Sequence, residues 1–247
     1  MDRLIKAEFF KLSKLAGYKI LLLGTVGIGL AEGLFTIIYG ISQGARISGA
    51  GYFALKLYLV WPLFAALMAG VYTAVFLCGD FGNRTYGATL LCGLSRRKVF
   101  LSKMIVFYAG LLPIFYLHMV VVCVLVTMGY GFGSLTAGDV AEFLKMFFYS
   151  VIGYLAVGGY YALLAVWLKN PVATVGVGFG IVYVQLVWVS NLRGMDVPPL
   201  KISFMYQLNQ FLDWETFQDK SYFVVMTLTF LLTFAAALFF YVKSDLK

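Results

Sequence analysis

Polar positions are so sparse along this chain that they punctuate it. Runs free of Asp, Glu, Lys and Arg extend from Leu57 to Gly79, Met104 to Gly138, Met146 to Leu168, Asn170 to Leu192 and Ser221 to Val242, and a first run from Ile20 to Ala45 is broken only by Glu32. A helix needs roughly 20 apolar residues to cross a ~30 Å hydrocarbon layer, so the pattern predicts six membrane-spanning helices. The third run is too long for one span, and its Gly-rich end, Gly129 to Ser134, is expected outside the hydrocarbon. The fourth and fifth runs are separated by "LKNP", where Lys169 is the one charge and Pro171 suits the first turn of a new helix, which predicts a tight hairpin.

Ahead of the first span the pattern becomes amphipathic. At 100° per residue Leu4, Ile5, Phe9, Leu12 and Leu15 share one side, Arg3, Lys6 and Lys14 lie opposite, and Glu8 and Phe10 are exceptions. Residues 1–16 therefore read as a helix lying on the membrane surface. The charges within the first dozen residues, with no small-residue cleavage site after a short apolar core, argue against a removable signal peptide.

Composition confirms the class. Of 247 residues 62% are hydrophobic and 12% charged, which excludes an ordinary water-soluble domain and leaves room for about six spans and no soluble catalytic domain. The expected fold is an all-α integral membrane protein, one transmembrane domain over residues 1–247. Its net charge of +8 sits at span ends, where anionic lipid headgroups and membrane orientation account for it, so nucleic acid is not an expected partner. Cys78, Cys92 and Cys123 lack ligand spacing and lie in or beside apolar segments, so neither a disulfide framework nor a metal site is indicated.

Thirteen of the nineteen Lys and Arg residues fall before the first span, in the second and fourth connections and at the C-terminus; six fall in the other connections. By the positive-inside rule both termini are cytoplasmic, and the long last connection, residues 190–220, is extracellular. The second connection, residues 80–98, is then a cytoplasmic loop. Gly93 fits a helix stop and Ser95 an N-cap, so Asn83 to Cys92 can form a short helix, with Arg96, Arg97 and Lys98 in the first turn of the third span. Cations there oppose the helix dipole by roughly 0.3–1 kcal/mol each. Lipid phosphate and an acidic partner surface are both open as compensating anions.

The stretch "DFGNRTYGATLLCGLSRRKVFLSK" resembles the loop between the second and third spans of the ABC transporter type-2 permease family. Asp80, Phe81, Thr85, Leu90, Gly93, Arg96 and Lys103 match that pattern in order and spacing, and the basic N-terminal helix, six spans and long last outer loop extend the likeness over the chain. The resemblance implies that this loop is a coupling helix docking on a separate ATP-binding subunit, with the N-terminal helix as an elbow. It also implies two permease subunits, identical or not, joined to two ATPase subunits that hold ATP and Mg, with no cofactor on this chain. Consistent with a borrowed motor, no G-x-x-x-x-G-K-[ST] phosphate loop occurs here. In such a joint Gly82, Gly87 and Ala88 permit close approach and Phe81, Leu90 and Leu91 supply apolar contact, whereas Arg84 must point away from the docking surface.

Three further features carry candidate chemistry. Glu32 is the one acid well inside a predicted span, where a charge costs roughly 2.5–3.5 kcal/mol, so it must face protein or water; a substrate path and a hydrogen-bonded packing role between Gly29 and Gly33 both fit. His118 and Gln185 read as hydrogen-bonded packing residues, and the pairs Gly129/Gly133 and Gly176/Gly180 as helix contacts or loop bends. In the last outer loop Phe204, Leu208, Phe211 and Leu212 share a helical face near Asp213, a candidate extracellular gate that offers a cationic amphipathic peptide both apolar and acidic surface; an interfacial helix anchored by Trp214 fits equally.

These readings converge on the membrane subunit of an ATP-driven exporter in a bacterial cell membrane, surrounded by lipid. The resemblance points to peptide substrates, as in bacitracin or lantibiotic resistance pumps and phenol-soluble modulin exporters. A lipid or small-drug exporter is the alternative within the class, and a non-transporting sensor or channel subunit outside it. An intramembrane enzyme would need several ionisable groups facing one another, and the sequence places one Glu and one His in different spans.

Overall fold

The computed structural model describes residues 1–42, 51, 62–82, 94–191, 206–208 and 219–243. Helix α1 (Asp2–Lys14) ends in an extended Leu15 and is followed by α2 (Ala16–Ser42). Helix α3 (Pro62–Thr73) passes through a π-helical turn (Ala74–Cys78) into the short α4 (Gly79–Gly82). Then come α5 (Arg96–Tyr130), α6 (Ala137–Leu168), α7 (Pro171–Asn191) and α8 (Asp219–Lys243). Six stretches are long and apolar enough to cross a membrane, and the described residues contain no strand, as expected of an all-α integral membrane protein.

Two helices start earlier than the charge-free runs. Helix α5 begins at Arg96 rather than Met104, with Ser95 in the N-cap position, and α6 begins at Ala137 rather than Met146. At α6 the cause is local: Thr136 Oγ1 accepts from the Asp139 amide at 3.2 Å, and the Asp139 carboxylate accepts from the Thr136 amide at 2.8 Å. This reciprocal capping box starts the helix where water supports charged residues. Between the two helices Gly131 adopts φ 79°, a left-handed value that stops α5, and its amide donates to Thr127 O at 2.8 Å. The "LKNP" hairpin forms as expected: Lys169 closes α6 with φ 51°, and Asn170 Oδ1 caps α7 through the Ala173 amide at 3.0 Å.

Helices α3, α5 and α6 hold the core, and the first, fifth and sixth spans keep most of their surface exposed. The extensive contacts are α6 with α8 and α2 with α5. Stacked aromatic rings fill the centre: Tyr72 lies 5.1 Å from Phe107 and 5.7 Å from Phe76, and Phe115 lies 4.0 Å from Tyr154. The α2–α5 contact depends on small residues, since a side chain at Gly33 would come within 2.6 Å of Leu125 and one at Gly29 within 3.1 Å of Val121. Gly176 and Gly180 behave otherwise: among the described residues nothing lies within 4 Å of a Cβ at either, so their spacing serves no helix contact among those residues. Gly129 abuts Ile37, and Gly133, with φ 96°, belongs to the bend.

Candidate functional site

One end of the bundle gathers the start of the chain, the end of the second span, the start of the third and the end of the sixth. Arg96 Nη1 donates to Val242 O at 2.9 Å, which fastens the first turn of α5 to the last turn of α8. Beneath that contact Lys103, about two turns further along α5, points inward with its side chain 2% exposed. Its ammonium pairs with Asp80 of α4 and, at 3.2 Å, with Glu8 of α1, and lies 4.7 Å above the ring of Phe76. The second carboxylate oxygen of Asp80 is held by Lys11 of α1. Two cations and two anions from three helices thus close into a neutral cluster at the root of the second connection. Burial holds the Lys11 ammonium below the usual lysine range, and Glu8 opposes that shift.

Local sequence explains how each member arrives. Glu8 and Lys11 are three residues apart on α1 and so lie on one flank. Leu12 is buried, Ile5 and Leu15 pack onto the core, and Phe9 and Phe10 stay exposed. Glu8, the exception in the apolar stripe, is there because that side of α1 faces Lys103. The π-helical turn Ala74–Cys78 matters for Asp80, since a turn with an extra residue rotates everything after it relative to what precedes. The same turn carries Cys78, whose Sγ lies 3.4 Å from Thr174 Oγ1 of α7.

The family model for "ABC-2 family transporter protein" matches residues 4–186, which takes in α1, the cluster and five of the six spans. The chain belongs to the ABC-2 transporter family. No curated protein matches it in sequence. Members of the ABC-2 family are membrane subunits without an ATPase site of their own, and they work with an ATP-binding subunit. Within this ABC-2 protein the residues singled out from sequence fare unevenly. Asp80 is 5% exposed and its carboxylate is occupied from within the chain, Phe81 is half-buried against the core, and Arg96 is engaged with Val242. Arg84, Thr85, Gly87, Leu90, Leu91 and Gly93 lie outside the described residues, as do Phe204, Phe211, Leu212 and Asp213. Leu208 is fully buried, and its neighbour Gln207 donates to Ser221 Oγ at 3.1 Å.

A second polar site lies deeper in the bundle. Glu32 of α2 and His118 of α5, expected to act separately in different spans, meet with Oε2 and Nε2 3.0 Å apart. The imidazole side chain is 1% exposed and stacks 4.0 Å from the ring of Phe64. Among the described residues no group of three His, Cys, Asp or Glu could hold a metal ion.

Proposed function

We propose that this chain is the permease of an ATP-driven exporter in a bacterial cell membrane, both termini cytoplasmic. Two permease subunits span the membrane, and two ATP-binding subunits holding ATP and Mg drive them from the cytoplasm. The second connection is the coupling loop, its contact surface formed by Phe81, Thr85, Gly87, Leu90, Leu91 and Gly93. The cargo is an amphipathic peptide of antimicrobial type, which meets Glu32 on its path and the Phe204 to Asp213 segment at the outer gate.

One observation carries this reading: the neutral cluster of Glu8, Lys11, Asp80 and Lys103 at the root of that connection. A loop that transmits force needs a stiff mount. A carboxylate held by two ammonium groups, one of them fully buried, ties the loop to the N-terminal helix and the third span together. Asp80 therefore serves as the anchor of the loop rather than as part of the surface it presents.

The test is capture of the ATP-binding subunit by the permease, combined with cargo-stimulated ATP turnover. Gly87→Trp adds bulk at the centre of the loop, where two backbones approach, and overpacking of this kind costs about 1–3 kcal/mol. The variant is expected to insert and fold but to lose its partner or its coupled turnover. An undiminished complex with undiminished turnover would remove the loop from the coupling path.

A further inference from the structure

The Glu32–His118 pair takes no part in the coupling site and stands apart from it. Counting 1.5 Å per residue, Glu32 lies about 14 Å along α2 from Ile41 and about 24 Å from Ala16, well inside the span. The pair is closed on one side and open on the other. His118 is sealed beneath Phe64, whereas the Glu32 side chain keeps 23% of its surface exposed.

The surroundings of the open side are decided by the helical wheel. At 100° per residue Tyr39 and Phe35 fall about 20° and 60° to one side of Glu32, while Thr36, Gly29 and Gly33 fall about 40°, 60° and 100° to the other. Gly29 and Gly33 are packed on α5 and Thr36 is half-buried. Phe35 and Tyr39 are 68% and 58% exposed, and their rings stack 6.0 Å apart at 15°. The carboxylate thus stands on the border of the packed seam, with two outward aromatic rings continuing its open edge. An acid beside aromatic faces is complementary to an organic cation: the charge meets the carboxylate and the apolar body meets the rings.

Charge balance then sets the chemistry. Hydrocarbon surroundings penalise any net charge, so the empty pair is neutral overall: a carboxylate and an imidazole share one proton, whichever atom carries it. A monocation entering that site would leave it at +1 unless the proton departs. We propose that Glu32 binds an organic monocation, an ammonium or guanidinium on an apolar body, and that this binding expels the proton held between Glu32 and His118. One N–H or O–H bond breaks, the proton passes to water, and the site ends as carboxylate, bound cation and neutral imidazole, with its total charge unchanged. The titratable groups the described residues bring to the site are Glu32 from α2, with the phenol of Tyr39 on its open edge, and His118 from α5; α3 presents the ring of Phe64, and Cys123, further along α5, turns its Sγ toward Gly51 O at 3.5 Å. The inference rests on the exporter reading only in taking the cation to be cargo.

The full chain in lipid nanodiscs, without an ATP-binding partner, is titrated with tetraphenylphosphonium, a lipophilic cation that has no proton of its own to lose. Calorimetry in buffers of different ionisation heats counts protons. The expected result is about one proton released per cation bound, with affinity rising by up to about tenfold per pH unit while the empty site is protonated. Glu32→Gln is expected to abolish saturable binding in protein that remains monodisperse, and Glu32→Asp to retain it. Saturable binding without proton release in the wild-type chain would overturn the proposal, as would equal binding by Glu32→Gln or no saturable binding at all; the wild-type titration decides even if the Gln variant misfolds. Displacement of the probe by a lysine-bearing amphipathic peptide would assign the site to peptide cargo, and displacement by small quaternary ammonium ions alone to small-molecule cargo; both uphold the cation site. Because no ATPase is present, failure here is distinct from failure of the exporter reading, which partner capture tests.

Discussion

Lys103→Met is the most informative single change. It keeps the length and apolar stem of the side chain but removes the ammonium that holds Asp80 and Glu8 together, leaving Asp80 with Lys11 among the described residues. Removing one partner of a buried ion pair costs about 3–5 kcal/mol, because the other charge stays buried without full compensation. Lys11, 35% exposed, still neutralises one oxygen of Asp80, so the lower end, about 3 kcal/mol, is expected. For a chain of this size that lowers the thermal midpoint by about 6–12 °C. Asp80→Leu alone is expected to cost a similar amount, since Lys103 then keeps Glu8 as its acid partner on α1. The double variant, Lys103→Met with Asp80→Leu, removes both buried charges and leaves the half-buried Glu8 and Lys11 one helical turn apart to neutralise each other, so it is expected within about 1 kcal/mol of wild type. Thermal unfolding of the four proteins in one detergent completes the cycle, with a coupling of several kcal/mol. Additive losses, or a Lys103→Met midpoint equal to that of wild type, would refute the cluster as an energetic unit.

Four other outcomes are expected. A cysteine replacing Gln210 should react with an impermeant thiol reagent in intact cells and one replacing Ser95 should not, as the cation distribution requires; the reverse labelling would invert the topology. Gly33→Leu places a side chain where Leu125 already stands, 2.6 Å from the first added carbon, and should cost about 1–3 kcal/mol in thermal stability. Glu32→Gln should preserve assembly with the ATP-binding subunit yet change transport or its preference among cargoes, whereas Lys98→Gln, at an exposed position, should weaken transport only slightly; full export by Glu32→Ala would leave Glu32 as packing alone.

The spans were legible because exclusion of charge from hydrocarbon is strong and local. The starts of α5 and α6 are unequally marked: Ser95 and the cations after it signal the first, whereas the charge-free run from Met146 misplaces the second, because a capped helix carries charged residues into water for several turns. The polar sites were less accessible. Glu8 was visible only as a flaw in an amphipathic stripe, and nothing local says that the flaw faces Lys103, ninety-five residues away. Glu32 and His118 are eighty-six residues apart, on helices whose relative rotation is set by Gly29 and Gly33 packing on α5. Periodicity tells which side of a helix is polar; the partner of that side depends on tertiary packing.

The enclosure of the charge cluster divides the basic residues at that end of the molecule by their response to ionic strength. Arg3, Lys6, Lys14, Arg97 and Lys98 are exposed, and their attraction to anionic headgroups or acidic surfaces is screened over about 8 Å in physiological salt. Lys103 lies where mobile ions cannot follow, and its pairing with Asp80 should be nearly indifferent to added salt. Raising the salt concentration therefore loosens what the surface holds while leaving the internal mount intact, so a washed membrane preparation can shed peripheral partners from a permease that is still correctly folded.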